Sequence, residues 1–155
     1  MPSQLNRVEL SISSDPHNLP IVRGAVEKMA ALEGFGPGDV YALTLAIDEA
    51  LANVIKHGYG GQPNQPIVIT LERVRSADDR PGIRVQVRDQ GRQVDPSQIK
   101  GRDLSEIRPG GLGVHIIRSV MDAYHWSCPA DGGMLLEMVR YLAPTNCVPV
   151  VQKSA

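Results

Sequence analysis

The sequence predicts an α/β (α+β) two-layer sandwich, in which a mostly antiparallel sheet is covered on one face by about three helices. The predicted elements follow the order β-α-α-β-β-α-β-β, and the strands alternate apolar and polar residues as half-buried strands do. The 155 residues, of which 42% are hydrophobic, are enough for one buried core. We expect this single domain to occupy residues 1–143 and residues 144–155, which have no pattern, to form a flexible tail.

The first strand is predicted at residues 7–12, where apolar side chains alternate with polar ones. Asp15 or Asn18 follows and could cap a first helix that runs to about Leu32. The glycine-rich and proline-containing segment 34–38 ends that helix, because glycine and proline interrupt helical structure.

A second helix is predicted from a cap at Asp39 to Gly58. At about 100° per residue, one side is apolar and should face the sheet, and it carries Leu43, Ile47, Ala50, Val54 and, at its edge, Leu51. The opposite side carries Glu49, Asn53 and Lys56 together with Ala42, Ala46 and Ala52. Because alanines leave room, this second side could receive a ligand; the alternative is an ordinary solvated helix face.

The second half of the chain is predicted to add four strands and one helix. Residues 66–74 and 82–88 alternate again and are typical of a hairpin. Residues 90–111 have no periodicity, and such a segment in a small domain is usually functional or mobile. The closing elements are a third helix and a second hairpin, predicted at residues 112–123, 124–128 and 133–141.

Composition and charge exclude several classes of function. The net charge of −1 gives no electrostatic footprint for nucleic acid or an anionic membrane. No apolar run approaches the roughly 20 residues that span a bilayer, and the N-terminus lacks the blocks of a signal peptide, so we expect a cytoplasmic protein. Cys128 and Cys147 do not form a C-x-x-C motif, and His125 with Cys128 lacks further metal ligands at useful spacing.

Two further motifs suggest a nucleotide. The glycine-rich turn 109–113 opens the predicted third helix, where backbone N–H groups free of Cβ atoms suit phosphate oxygens, although an ordinary tight turn has the same composition. Asp89 ends a predicted strand, and its carboxylate could accept a hydrogen bond from an exocyclic amine such as adenine N6 or could form an Asx turn.

Together, these motifs resemble those of the GHKL (Bergerat-fold, histidine-kinase-like) ATPases, and most closely those of the anti-sigma-factor serine kinases. The resemblance extends over about residues 5–142 and implies ATP and Mg²⁺ as cofactors. By this resemblance, Glu49 is the general base and Asn53 binds the magnesium ion that bridges the phosphates. Asp89 and Gly91 form the adenine-reading Asp-x-Gly. The other residues implied at the nucleotide are Lys56, His57, Val94, Arg108, Gly110, Gly111, Leu112 and Gly113.

The sequence departs from the family pattern at several positions. Gln93 stands where a second glycine often follows, and Val94 replaces a frequent phenylalanine. Leu135 or Leu136 stands in the region where family members often supply a threonine hydroxyl to the adenine. These departures bear on the affinity for the nucleotide more than on its identity.

The resemblance implies an ATP-dependent serine-protein kinase that phosphorylates a STAS-type anti-anti-sigma partner and sequesters a sigma factor, as a homodimer. Two alternatives remain: a nucleotide-gated partner-switching module with little kinase activity, and an ATPase fragment of a larger signalling machine. Glu49 favours the kinase, because a pure binding module does not need a carboxylate there. The segment that lacks periodicity contains three candidate cations, Lys100, Arg102 and Arg108. Each could approach the γ-phosphate as a lid closes or could be a solvated loop charge.

Overall fold

Five strands form one sheet, and the hydrophobic core lies between this sheet and the helices. The strands are β1 (Arg7–Ser13), β2 (Pro66–Arg75), β3 (Pro81–Asp89), β4 (Ala123–Ser127) and β5 (Leu135–Tyr141). The helices are α1 (Leu19–Leu32), α2 (Pro37–Asn53) and α3 (Gly113–Val120). The computed structural model describes residues 6–99 and 113–144, and within these ranges the strand order is β1-β2-β3-β5-β4 with every pairing antiparallel. The predicted fold class and order of elements are confirmed.

The central strand β3 shows how the sequence pattern positions a functional group. Ile83, Val85 and Val87 are fully or almost fully buried because alternate residues of a strand face the same side. Asp89 continues this row and is also buried. The opposite face is more polar, as in many antiparallel sheets, and carries the cross-strand ion pair of Arg84 with Glu72 at 3.1 Å. The row on the helix side therefore ends in a buried carboxylate.

The start of α2 differs from the prediction that Asp39 caps it. The N-cap residue is Gly36 in extended conformation, and Pro37 is the first helical residue. Proline suits that position because its fixed φ is helical and its missing N–H would have no partner there. Asp39 lies two residues further into the first turn, where its carboxylate accepts a hydrogen bond from Arg140 Nη2 at 2.5 Å. The carboxylate therefore joins α2 to β5.

The helical path continues to Gly58 as predicted, but its last turn is a π-helix at Val54–Gly58. The Tyr59 N–H donates to the Val54 carbonyl, five residues earlier, at 2.9 Å. A π turn is wider than an α turn, so the rotation of 100° per residue no longer applies after Asn53. The side chain of Lys56 consequently leaves the position that the helical pattern predicts.

The apolar side of α2 packs as predicted, with Leu43, Ile47 and Ala50 in the core. Ala46 was predicted on the side that could receive a ligand, but it is fully buried and does not offer an open surface. Both α1 and α3 pack against α2. The room that the alanines leave is thus filled in part by a helix of the same chain.

The third helix ends earlier than residue 123. The Asp122 N–H donates to the Val139 carbonyl at 2.9 Å, and the Asp122 carboxylate accepts from the Tyr141 N–H at 2.7 Å. These bonds bring the chain to β5 immediately after Val120. None of the helices within residues 6–99 and 113–144 combines the length and the apolar character needed to cross a membrane.

Candidate functional site

A cavity of about 320 Å³ lies between α2, α3 and the sheet. Its walls are mostly apolar and include Val87, Val94, Val114, Trp126, Met134 and Leu136. Its polar lining includes Asn53, His57, Asp89 and Arg92. A mostly apolar cavity with a few converging polar groups is the usual form of a small-molecule site.

Asp89 is the buried polar group of this cavity. Its Oδ1 accepts hydrogen bonds from the Gly91 N–H at 2.8 Å and from the Met134 N–H at 3.2 Å. Among the described residues, Oδ2 has no hydrogen-bond partner, so it is available to a ligand. Burial raises the pKa of Asp89, while the two N–H groups and the charge of Arg88 oppose that rise. The Asx turn and the ligand contact predicted as alternatives are therefore compatible, because they use different oxygens.

The loop after Asp89 packs against Gly58, the last residue of the π-helix that follows α2. A Cβ atom on Gly91 would stand 2.5 Å from the Gly58 carbonyl oxygen, so only glycine fits here. The Arg92 N–H donates to that same oxygen at 2.9 Å. The Tyr59 hydroxyl accepts from the Gln90 N–H at 2.7 Å, and burial raises the pKa of this hydroxyl. These contacts hold the Asp89 loop in one shape.

Asn53 and His57, two of the residues predicted at the nucleotide, line the cavity together with Asp89. The Asn53 amide makes no side-chain hydrogen bond within the described ranges and can therefore serve a ligand. Lys56 lies elsewhere, in an adjacent groove of polar character whose lining includes Gln90 and Gly91. The π turn explains this separation, because it rotates Lys56 away from the face of Asn53.

Glu49 lies beside the first residue of α3 rather than in the wall of the cavity. Its Oε2 is 2.5 Å from the position of a Cβ atom on Gly113, which itself lines the cavity. The neighbouring Asp48 is engaged with α1, where its Oδ2 accepts from Arg23 Nε and Nη2 at 3.1 and 2.9 Å. Glu49 is thus the carboxylate of this pair that stands next to the cavity.

Part of the predicted site lies outside the described residues. Three residues of the predicted glycine-rich turn are not described, namely Gly110, Gly111 and Leu112. The same holds for the three candidate cations Lys100, Arg102 and Arg108. Gly113 is the member of the predicted glycine motif that the structure describes. The roles assigned to the others stay predictions, as does the tail beyond residue 144.

Several cavity residues were missed by the sequence reasoning, notably Arg92, Trp126 and Met134. Trp126 enters the cavity because it pairs with Leu136 in the sheet register, which the alternation of β4 alone does not show. That register also shows that Leu136, and not Leu135, lines the cavity where the family often has threonine.

Of the two departures at positions 93 and 94, Val94 lines the cavity and Gln93 precedes it in the chain. Gln93 Nε2 donates to the Pro129 carbonyl at 2.9 Å, and the Val94 N–H contacts Met134 Sδ at 3.5 Å. The Cys128 thiol donates to the Val94 carbonyl at 3.3 Å. These side chains fasten the segment after Asp89 to the connection between β4 and β5. No group of three or more histidine, cysteine or acidic side chains placed for a metal occurs in residues 6–99 and 113–144.

The fold and this cavity define an ATPase domain of the histidine-kinase type. Residues 12–140 match the family model described as the histidine kinase-like ATPase domain, and the chain belongs to this family. Within it, the chain is similar to the serine-protein kinase RsbW of Bacillus velezensis, with 27% identity over 92% of this chain and 89% of the relative. RsbW of Listeria innocua is 24% identical over 92% of this chain and 91% of the relative. The resemblance identified from the motifs is confirmed.

Solved structures show the same fold. The RsbU and RsbW domains of Rv1364c from Mycobacterium tuberculosis superpose with a TM-score of 0.59 at 17% identity, covering 89% of this chain and 33% of that longer chain. The SiaB–SiaC complex from Pseudomonas aeruginosa gives a TM-score of 0.53 at 14% identity, covering 86% of this chain and 89% of that chain. At these identities the likeness concerns the fold alone.

Proposed function

We propose that this protein is an ATP-dependent serine-protein kinase and anti-sigma factor, which phosphorylates a STAS-type anti-anti-sigma partner and sequesters a sigma factor. The observation that carries the proposal is the buried Asp89 carboxylate, with Oδ1 bound by two N–H groups and Oδ2 left for a ligand in an apolar cavity. The names of the RsbW relatives support the kinase part of the proposal. The partners and the homodimer rest on the family resemblance.

The cavity suits adenine better than guanine. Adenine presents an N6 amine as a hydrogen-bond donor, whereas guanine presents the O6 acceptor in the corresponding place. Asp89 Oδ2 accepts hydrogen bonds and, when ionised, repels another acceptor. The apolar side chains of Val87 and Leu136 would lie against the flat face of the base. We therefore assign the adenine end of ATP to the Asp89 end of the cavity.

Magnesium fits the residues present, although it needs little from the protein. Mg²⁺ keeps several water ligands and is usually held by one or two protein oxygens together with substrate phosphates. The Asn53 amide oxygen, which has no protein partner among the described residues, would be such a ligand. When bound, the ion neutralises charge on the phosphates during transfer.

Glu49 is the proposed general base. Glu49 lies beside Gly113, at the start of α3, next to the cavity but outside its lining. This position suits a carboxylate that meets the incoming protein substrate and not the adenine ring. The serine oxygen forms a bond to the γ-phosphorus, the bond from that phosphorus to the β,γ-bridging oxygen breaks, and ADP leaves. Glu49 takes the proton of the serine hydroxyl.

The test replaces Glu49 with glutamine, which keeps the shape of the side chain and removes its basicity. Transfer of labelled γ-phosphate to a STAS partner should fall about 10²- to 10⁴-fold. ATP affinity, measured by calorimetry, should change little, because the base acts as charge develops in the transition state. The matched control is Glu27→Gln on the exposed side of α1, which should behave like the parent.

Two results would contradict the assignment. If the parent binds ATP and a STAS partner but transfers no phosphate, the protein is a nucleotide-gated binding module. If Glu49→Gln transfers phosphate at the parental rate, Glu49 is not the base. Asp48 does not offer an obvious replacement, because Arg23 already binds its carboxylate on the side of α1.

A further inference from the structure

Trp126 is the single tryptophan of the chain and lines the cavity from the edge strand β4. In the sheet register it pairs with Leu136, and Leu136 pairs with Val87. The three side chains therefore form a row across three strands on the helix side of the sheet. This row is the next one along β3 from Asp89, so it forms the floor of the cavity beside the buried carboxylate.

The spacing of the strands determines which part of a ligand Trp126 could meet. Two strand spacings separate β3 from β4, which amounts to about 10 Å. A purine whose amine reaches Asp89 would therefore extend across Val87 and Leu136 toward Trp126. The far edge of the base and its ribose would come to the indole, whereas the exocyclic amine would be at the other end of the cavity.

Neighbouring side chains hold the indole in place. The Tyr124 ring packs edge-to-face against it, with 5.7 Å between the ring centroids and 61° between the planes. The Arg118 guanidinium lies over Tyr124, 5.9 Å from the centroid, and its Nη2 donates to the Ile99 carbonyl at 2.8 Å. Ile99 also lines the cavity. The indole thus belongs to a supported wall that links β4, α3 and the segment after Asp89.

We propose that Trp126 is a nucleotide-contacting residue, whose indole packs against the nucleoside part of the bound nucleotide. The inference rests on the proposed function, because it takes an adenine nucleotide as the ligand. The indole is partly exposed, whereas Leu136 and Val87 in the same row are almost fully buried, so Trp126 offers the accessible surface of that row. A planar aromatic ring offers a stacking surface that an aliphatic side chain lacks.

The single tryptophan makes the test direct. Emission at 295 nm excitation should change on titration with ATP, ADP and adenosine, with the same sign for all three, since the contact is with the nucleoside. Trp126→Leu should weaken ATP binding about 5- to 10-fold by calorimetry, because stacking is lost while apolar contact remains. Trp126→Phe, which keeps an aromatic ring, should lose less. Tyr41→Leu, a change at an exposed aromatic residue of α2, is the matched control and should bind like the parent.

The outcomes separate this inference from the proposed function. If ATP binds and Asp89→Asn weakens it, but the emission stays constant and Trp126→Leu binds with parental affinity, the inference about Trp126 is overturned and the nucleotide site stands. If the parent binds no ATP by calorimetry, both are overturned. If Trp126→Leu does not fold, the test uses the ATP affinity of Trp126→Phe and the tryptophan emission of the parent. Parental affinity in Trp126→Phe together with constant emission of the parent on ATP addition overturns the inference.

Discussion

Replacing Asp89 with asparagine isolates the oxygen that is assigned to the adenine. Oδ1 of Asp89 accepts N–H groups from Gly91 and Met134, and the amide oxygen of asparagine can accept the same two bonds. The loop should therefore keep its shape. The substitution instead changes the Oδ2 position, where an acceptor oxygen is replaced by an NH₂ donor that faces the adenine amine.

The size of the effect follows from the hydrogen bond that is lost. A hydrogen bond to a charged group contributes about 1.5–3 kcal/mol, so ATP should bind about 10- to 150-fold more weakly. GTP should gain relative to ATP, because guanine O6 can accept from the new amide. Calorimetry with both nucleotides and Mg²⁺ measures the two affinities. The control Asp95→Asn removes an exposed carboxylate from the same segment and should leave both affinities unchanged.

The pKa of Asp89 gives this prediction a second, independent readout. Burial raises the pKa in the folded state above its value in the unfolded chain. Between these two values the folded state binds more protons, so the free energy of unfolding decreases as the pH rises through that range. Above the range the charged group weakens the fold, and asparagine carries no such charge. Urea unfolding at neutral pH should therefore find Asp89→Asn at least as stable as the parent.

The combination of weaker ATP binding and undiminished stability identifies a ligand-binding carboxylate. A structural carboxylate would give the opposite stability result, with Asp89→Asn unfolding at lower urea concentration than the parent. Parental affinity for ATP in Asp89→Asn, or equal affinity of the parent for ATP and GTP, would refute the adenine assignment.

Two further predictions concern the metal and the loop. Asn53→Ala should weaken ATP binding in the presence of Mg²⁺ but bind ATP like the parent in EDTA, and its melting temperature should be unchanged. An affinity loss of the same size in EDTA would show that Asn53 does not act as a magnesium ligand. Gly91→Ala should lower the free energy of unfolding by about 1–3 kcal/mol in urea, because the new Cβ meets the Gly58 carbonyl oxygen. The control Gly24→Ala, in an open part of α1, should raise that free energy by about 0.5–1 kcal/mol. A Gly91→Ala protein as stable as the parent would contradict the tight approach.

Most of the fold could be predicted because its antiparallel sheet leaves one face more polar than the other. The alternation in β3 shows both which side is buried and that Asp89 lies on that side. The face of α2 was harder to assign, because alanine fits a buried position and an open one equally well. Ala46 is fully buried, and no local pattern reveals which part of α2 the neighbouring helices will cover.

The positions that could not be predicted depend on contacts between distant segments. Lys56 leaves the face of Asn53 because of the π turn, which depends on how the chain leaves the helix toward Tyr59. Trp126 enters the cavity because β4 pairs with β5, and β5 pairs with β3. Alternation shows that a strand has two faces, but the register between strands decides which side chains meet across it.

The glycines around the cavity locate the site without identifying its ligand. Gly91 must lack a side chain because of the Gly58 carbonyl oxygen, whereas a Cβ atom on Gly113 would meet the end of the flexible Glu49 side chain. Both contacts come from packing of the protein against itself, and they hold whether or not a phosphate binds. The chemical identity of the ligand has to come from a group that packing does not explain. Asp89 is that group, because its Oδ2 has no partner among the described residues and the carboxylate lines the cavity, where a ligand that donates a hydrogen bond can reach it.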